Sequence, residues 1–312
     1  DGLTVHVRPY ADVAPTDVDF EVTVHDRLFA PEVYNLGYLW LQGLTFEHAG
    51  NGWPLPPEGA VSCEGGHHWV IEDCTVSQIN AVGIDLGFHR EHLDYSEEKT
   101  YGHAIVRRNT VSECGVSGIA GTGLPYSLVE ANTVFRCGWY EIEKNFEQAG
   151  IKFHLTLDTV VRRNVVFDLC EASGIWLDAQ IENTRCCENL VHDISTRFGG
   201  IFIEVSKTLP NSVDHNLVFD IDGNGIYEHD VERLRVVHNL VARCTGAAIM
   251  LRRGEAARMT RNPRRGSTGR KHRVLNNLLV DCGRMVEFHN DDQESDGNLF
   301  GPSRDPGPFR LH

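Results

Sequence analysis

No stretch of this sequence comes near the roughly 18 consecutive apolar residues of a helical membrane span, so a helix crossing a bilayer is excluded. Positive charge is scarce: 29 Lys and Arg stand against 44 Asp and Glu, a formal charge of −15. That balance argues against nucleic acid or an anionic membrane surface as the main partner. Apolar residues at helical spacing are missing too, which leaves short strands as the building element. No tight Asp/Glu cluster has the form of a calcium loop, and no metal or cofactor is expected; the acidic run 290–294 reads as a loop. The nine cysteines are odd in number and, apart from Cys186-Cys187, scattered, so they do not form a disulfide framework. Structural thiols point to a reducing, cytoplasmic setting, with secretion left open.

What is present is a repeat. Its unit runs: β-branched pair, Asn, apolar pair, polar turn, Cys or Ile, a few residues, Gly-Ile, alternating strand. Asn109, Asn132, Asn164, Asn189, Asn216, Asn239 and Asn277 mark one column, which Asn298 extends. Cys114, Cys137, Ile194, Ile221, Cys244 and Cys282 each follow such an asparagine by five residues. We place Cys170 in the same set. A cysteine that alternates with isoleucine is a small buried apolar group. The Gly-Ile or Ala-Ile isoleucines (Ile84, Ile119, Ile151, Ile175, Ile201, Ile226, Ile249) settle to spacings of 23–26 residues. Two or three short strands per unit of that length make one coil of a parallel β-helix, in which stacked neighbours share a core. The leucine-dense signature of a leucine-rich repeat is absent. The expectation is an all-β, right-handed parallel β-helix over residues 36–312, with inward asparagines hydrogen-bonded from coil to coil.

Residues 1–35 read as two further strands, Leu3–Val7 and Phe20–Val24, and as the end of a β-domain, a β-sandwich in form. The chain opens on Asp1 without a charged-then-apolar leader, so a removed signal or an upstream start is expected. Insertions decorate the coil at 88–102, at 138–149 and at the basic loop 253–271. The last reads as a solvated flap or a subunit contact, and a homo-oligomer stays open.

Two strands carry the candidate chemistry: Gly174–Asp178 and Gly200–Glu204. Alternation turns Ile175 and Leu177 inward and Trp176 and Asp178 outward; Phe202 and Glu204 repeat the pattern. If the strands are neighbours in register, Asp178 and Glu204 lie side by side. The outward column then reads Thr122, His154, Asp178, Glu204, His229, Arg252, beside a second of Asp85, Ala120, Lys152, Trp176, Phe202, Tyr227 and Met250. Glu228 joins the groove only if its strand bulges or slips by one residue. Two carboxyls this close should split into an acid and a base, the pair that glycoside hydrolysis uses. Adjacent coils suit the shorter separation, about 5–5.5 Å, of retaining enzymes. Lys152, His154, Trp176, Phe202, Glu228, His229 and Arg252 are the candidate substrate contacts. The competing readings are carboxylates that cap strands on a solvated face, and aromatic rings packed under a loop.

The segments Gly-Ile-Trp-Leu-Asp (174–178) and Phe-Ile-Glu-Val (202–205) resemble glycoside hydrolase family 120. So do Trp40-Leu41-Gln42-Gly43-Leu44-Thr45-Phe46-Glu47-His48-Ala49 and Gly66-His67-His68-Trp69-Val70-Ile71-Glu72. The resemblance extends from about residue 20 onward. It implies a retaining β-xylosidase on a right-handed β-helix, with Asp178 as nucleophile and Glu204 as general acid/base. The expected activity is removal of xylose from short β-xylosides of the kind xylan breakdown yields. Alternatives are a retaining glycosidase for another sugar, a polysaccharide lyase, and a non-catalytic glycan-binding β-helix.

Overall fold

The computed structural model describes residues 4, 6–9, 13–20, 22–52, 58–87, 100–139, 146–207, 209–252, 269–303 and 309–311. Every strand pairing within them is parallel, each between one coil and the next. A ten-stranded sheet collects the first strand of each coil, from Trp40–Gln42 to Glu294–Asp296. The second and third strands form an eighteen-stranded sheet. They merge because two coils run on without a break, Leu190–Ser206 and Leu217–Val231. The fold is the parallel β-helix that the repeat implies.

One core runs the length of the coil. The Gly-Ile isoleucines stack in register, Ile84 on Ile119, Ile151, Ile175, Ile201, Ile226 and Ile249. Beside them runs the cysteine/isoleucine column, with Ile194 on Ile221 and Ile221 on Cys244. Cys170 is not part of it. Leu169 pairs with Ile194, and Cys170, one residue on, is exposed. The reason is spacing: Leu169, not Cys170, lies five residues after Asn164.

The asparagine column is a continuous ladder. From Asn132 to Asn298, each carboxamide oxygen accepts both the backbone N–H and the Nδ2–H of the asparagine one coil before it at 2.9–3.0 Å. The residue before each rung turns left-handed, as at Arg163 (φ 56°), Glu188 (φ 57°) and His215 (φ 56°). Such a φ costs a non-glycine residue about 1–2 kcal/mol, and the ladder offsets it. Asn189→Ala removes the acceptor for Asn164 and the donor to Asn216. We expect it to lower unfolding free energy by about 3–5 kcal/mol, because buried N–H groups lose their partners. Urea unfolding of the two proteins measures this.

A second polar ladder sits five residues ahead of the first. Ser127 N–H donates to Thr159 Oγ1, Thr184 N–H to Asn211 Oδ1, Leu234 N–H to His272 Nδ1, and His272 N–H to Gln293 Oε1. It satisfies the backbone at the opposite bend.

The strands expected before residue 36 are not seen. Leu3 and Val5 lie outside the described residues, and the described positions of 20–24 carry no strand. Val22 and Val24 face solvent at 72% and 77% exposure, and among the described residues no strand pairs with them. The segment is tied to the coil at several points: the Leu28 and Phe29 N–H groups donate to Ala60 O, the Asn35 N–H to Glu64 O, and the Gly50 N–H to His25 O. Phe29 also packs edge-on against Phe46 and Trp69. Most of insertion 88–102, the middle of 138–149 and most of 253–271 lie outside the described residues.

Candidate active site

Asp178 and Glu204 meet because the coils stack without a shift between them. Ile175 pairs with Ile201, Trp176 with Phe202 and Leu177 with Ile203; Asp178 and Glu204 are the next residues along the two strands. The row continues on both sides, His154 pairing with Asp178 and with Thr122, and Glu204 with His229. A left-handed residue follows each of these positions: Leu155, Ala179, Val205 and Asp230, at φ 51–59°. The left-handed residue bends the chain at the end of this row, within one or two residues of the strand's last residue. Val205 is β-branched, and a β-branched residue at this φ is strained; the strain lies directly beside Glu204.

Both carboxyl side chains reach solvent, Asp178 at 17% and Glu204 at 13% exposure. Lys152 Nζ lies 3.1 Å from Asp178 Oδ2, and His154 Nδ1 lies 3.5 Å from the same oxygen. Burial pushes the Asp178 carboxyl up, but the Lys152 ammonium and then His154 outweigh it and hold the group below the usual carboxylate range. Asp178 is thus held ionised. On its other side Glu204 Oε1 faces His229 Nδ1 at 3.3 Å.

Replacing Lys152 by Met removes the ammonium, so the Asp178 carboxyl should titrate at higher pH. The sign for stability follows. A carboxyl with a depressed folded-state pKa stabilises above its unfolded value, and that contribution is lost as pH falls through the folded one. In Lys152→Met the acid loss attributable to Asp178 begins at higher pH, which NMR titration of labelled Asp carboxyls and acid unfolding both read.

The remaining candidates divide. Lys152 is in the outward column but only 1% exposed, and its ammonium serves Asp178 and the face of Trp176, 3.1 Å from the ring centroid. Trp176 and Phe202, expected as outward surfaces, are buried with Ala149 and Tyr227 in a second apolar cluster. The cover is Phe198, carried over them by a register shift between Ser195 and Gly199. They are a packed layer under a bulge, not open platforms. Arg252 Nη1 donates to Tyr227 Oη at 3.2 Å, at the edge of the same layer.

Glu228 does not join the groove. No slip occurs at its strand: Ile203 pairs with Glu228 and Glu228 with Leu251, so alternation turns it inward. Inside the coil its Oε1 accepts the Val231 N–H at 2.6 Å, and its Oε2 lies 3.5 Å from His272 Nε2. Burial pushes the Glu228 carboxyl well up and lowers His272 to about 3.

One residue at the row was not among the candidates. Glu147, from the insertion that precedes the Ile151 strand, places Oε2 3.2 Å from His154 Nε2. His154 therefore bridges two carboxylates, Glu147 and Asp178. The only sequence signal was the insertion's place next to the Gly-Ile strand. Among the described residues no group of His, Cys, Asp and Glu forms a metal site.

A row of paired carboxylates on a parallel β-helix is the class this geometry defines. The family described as "Right handed beta helix region" matches residues 59–241, more than half of the chain, and the chain belongs to it. Among solved structures, XylC in complex with xylose superposes with a TM-score of 0.64 at 19% identity, over 89% of this chain and 55% of that one. This chain thus spans little more than half of XylC's length. A variant of the periplasmic alginate epimerase AlgG gives a TM-score of 0.52 at 11% identity, covering 88% of this chain and 69% of that one. A variant tailspike protein of E. coli bacteriophage HK620, in complex with pentasaccharide, gives 0.51 at 14% identity, covering 86% and 49%. At these identities the likeness is one of fold. A search of curated proteins found no match.

Proposed function

We propose that the chain is a retaining glycoside hydrolase of the family 120 type, acting on β-xylosides. The observation that carries this is the in-register pair Asp178 and Glu204 on a solvent-reached row, with Asp178 held ionised by Lys152. An ionised carboxylate is a nucleophile for an anomeric carbon. A second carboxyl one coil away, at the roughly 4.8 Å strand spacing, suits the short separation of retaining enzymes.

The course follows from those positions. Asp178 attacks the anomeric carbon while protonated Glu204 gives its proton to the departing oxygen. Glu204, now a carboxylate, takes a proton from the water that releases the sugar from Asp178. The family resemblance assigns the two roles, and xylose bound to XylC supports the choice of sugar. A lyase or epimerase acting on uronates fits less well. Glu147, Asp178 and Glu204 set three carboxyls on this row against one ammonium, that of Lys152, in a chain of net charge −15.

A panel of 4-nitrophenyl glycosides tests the reading. Turnover of the β-xyloside above the β-glucoside, α-arabinoside and β-galactoside is expected. Turnover of another sugar alone would overturn the choice of xylose, and binding with no turnover of any would overturn hydrolysis.

A further inference from the structure

The bends that lead into the third strands, at the opposite end of those strands from the carboxyl row, enclose a cavity of about 720 Å³. That lies within the roughly 300–1,000 Å³ of small-molecule sites. Its floor is one bend repeated over four successive coils. Gln78, Glu113, Arg136 and Asp168 hold the same left-handed place in each, at φ 51–55°. Three residues before them, Thr75, Thr110, Thr133 and Val165 pair in register, so the four polar residues follow one another at the coil spacing of about 4.8 Å. Ile79 and Cys137 of the core column, each 1% exposed, underlie the line. Cys170, one residue beyond that column, lines the cavity, which accounts for its exposure.

Two segments raise walls above this floor. On one side Thr23 stands over Gly50, where an added Cβ would lie 2.9 Å from Thr23 Cγ2. On the other, the insertion 138–149 leaves the coil at Gly138 (φ 81°), where a side chain would strike Ala172 and Gln148. Gln148 Nε2 donates to Gly138 O and to Cys170 O, which staples the stem of the insertion to the next coil. Trp139 is the first residue beyond that staple and is 50% exposed. It shares the cavity with Arg136, whose Nη1 lies 3.3 Å from Glu113 Oε1. An indole on a stapled stem is a ring surface fixed beside a line of polar groups.

We propose that this cavity is a second, non-catalytic binding site for a neutral oligosaccharide. An indole offers an apolar face to the C–H side of a pyranose ring. The Glu113 and Asp168 carboxylates accept from hydroxyls, the Arg136 guanidinium donates to them, and the Gln78 carboxamide does both. An anionic ligand would meet two carboxylates against one guanidinium, in a chain of net charge −15. A purely apolar one would take the line from Gln78 to Asp168 out of water without replacing its hydrogen bonds. The inference rests on the reading that this chain acts on a sugar, and gives it a second place to hold one. Cys170 on the cavity floor precedes Asp178 by eight residues in the same coil, and the strand Ser173–Asp178 between them spans roughly 16 Å at about 3.3 Å per residue.

NMR of Asp178→Asn, in which the proposed nucleophile is gone, tests this with xylotetraose, cellotetraose and mannotetraose as probes. The indole N–H signal of Trp139, assigned by its loss in Trp139→Phe, is expected to move with at least one of them at about millimolar concentration. In Trp139→Ala the methyl signals of Ala49 and Ile79 report on the same cavity, and binding there should be about tenfold weaker. A Trp139 signal that none of the three moves at about 10 mM, or a Trp139→Ala protein that binds as tightly as its parent, would overturn the inference. Turnover of an aryl xyloside by the wild type with an unmoved Trp139 signal defeats this inference and leaves the proposed function standing. A moved signal in a protein that turns over no glycoside does the reverse.

Discussion

Asp178→Asn is expected to lower turnover of an aryl β-xyloside on the order of 10⁴-fold or more, with little change in KM. The amide has the same shape and still offers Lys152 an oxygen at the position now 3.1 Å away. It lacks the charge that attacks the anomeric carbon. The same loss leaves the Lys152 ammonium, 1% exposed, without its anion, so a stability cost of about 1–3 kcal/mol should accompany it. Urea unfolding separates the two effects: a protein that stays folded but is inactive has lost chemistry, not structure. A drop of tenfold or less would remove Asp178 from the nucleophile's role.

The second large effect concerns Glu204→Ala. Without the proton donor, substrates with poor leaving groups should slow on the order of 10³-fold, while activated ones such as dinitrophenyl xyloside should form the covalent intermediate almost normally. The intermediate should then accumulate, since nothing activates the water. Added azide, an anion small enough for the vacated space and in no need of a base, should restore turnover and yield β-xylosyl azide. Equal loss across leaving groups and no effect of azide would mean that Glu204 does not handle the proton.

The fold was legible because a stacked coil repeats its constraints. Every asparagine of the ladder meets the same bend, and every Gly-Ile strand supplies the same core position, so periodicity alone set the register that joins Asp178 to Glu204. What escaped was whatever breaks the period. Trp176 and Phe202 point outward as alternation requires, yet the shift between Ser195 and Gly199 brings Phe198 over them, and nothing local marks an insertion as a cover. Glu228 fails differently. Alternation alone turns it inward; only its polar neighbours His229 and Asp230 suggested a slip, and its buried partner His272 is 44 residues away in sequence. Glu147 reaches the row from a loop, beyond any strand pattern. Cys170 stands one residue beyond the column, whose place in that coil is filled by Leu169, five residues after Asn164 and paired with Ile194.

The most direct test of the central claim, that the two carboxyls of neighbouring coils act as a retaining pair, is a proton NMR time course of an aryl β-xyloside with the wild-type protein. On the proposed reading, the roughly 4.8 Å spacing of stacked strands leaves no room for a water between carboxylate and sugar, so β-xylose should appear first and mutarotate later. α-Xylose as the first product would contradict the claim, because inversion needs the two groups roughly 6.5–9.5 Å apart.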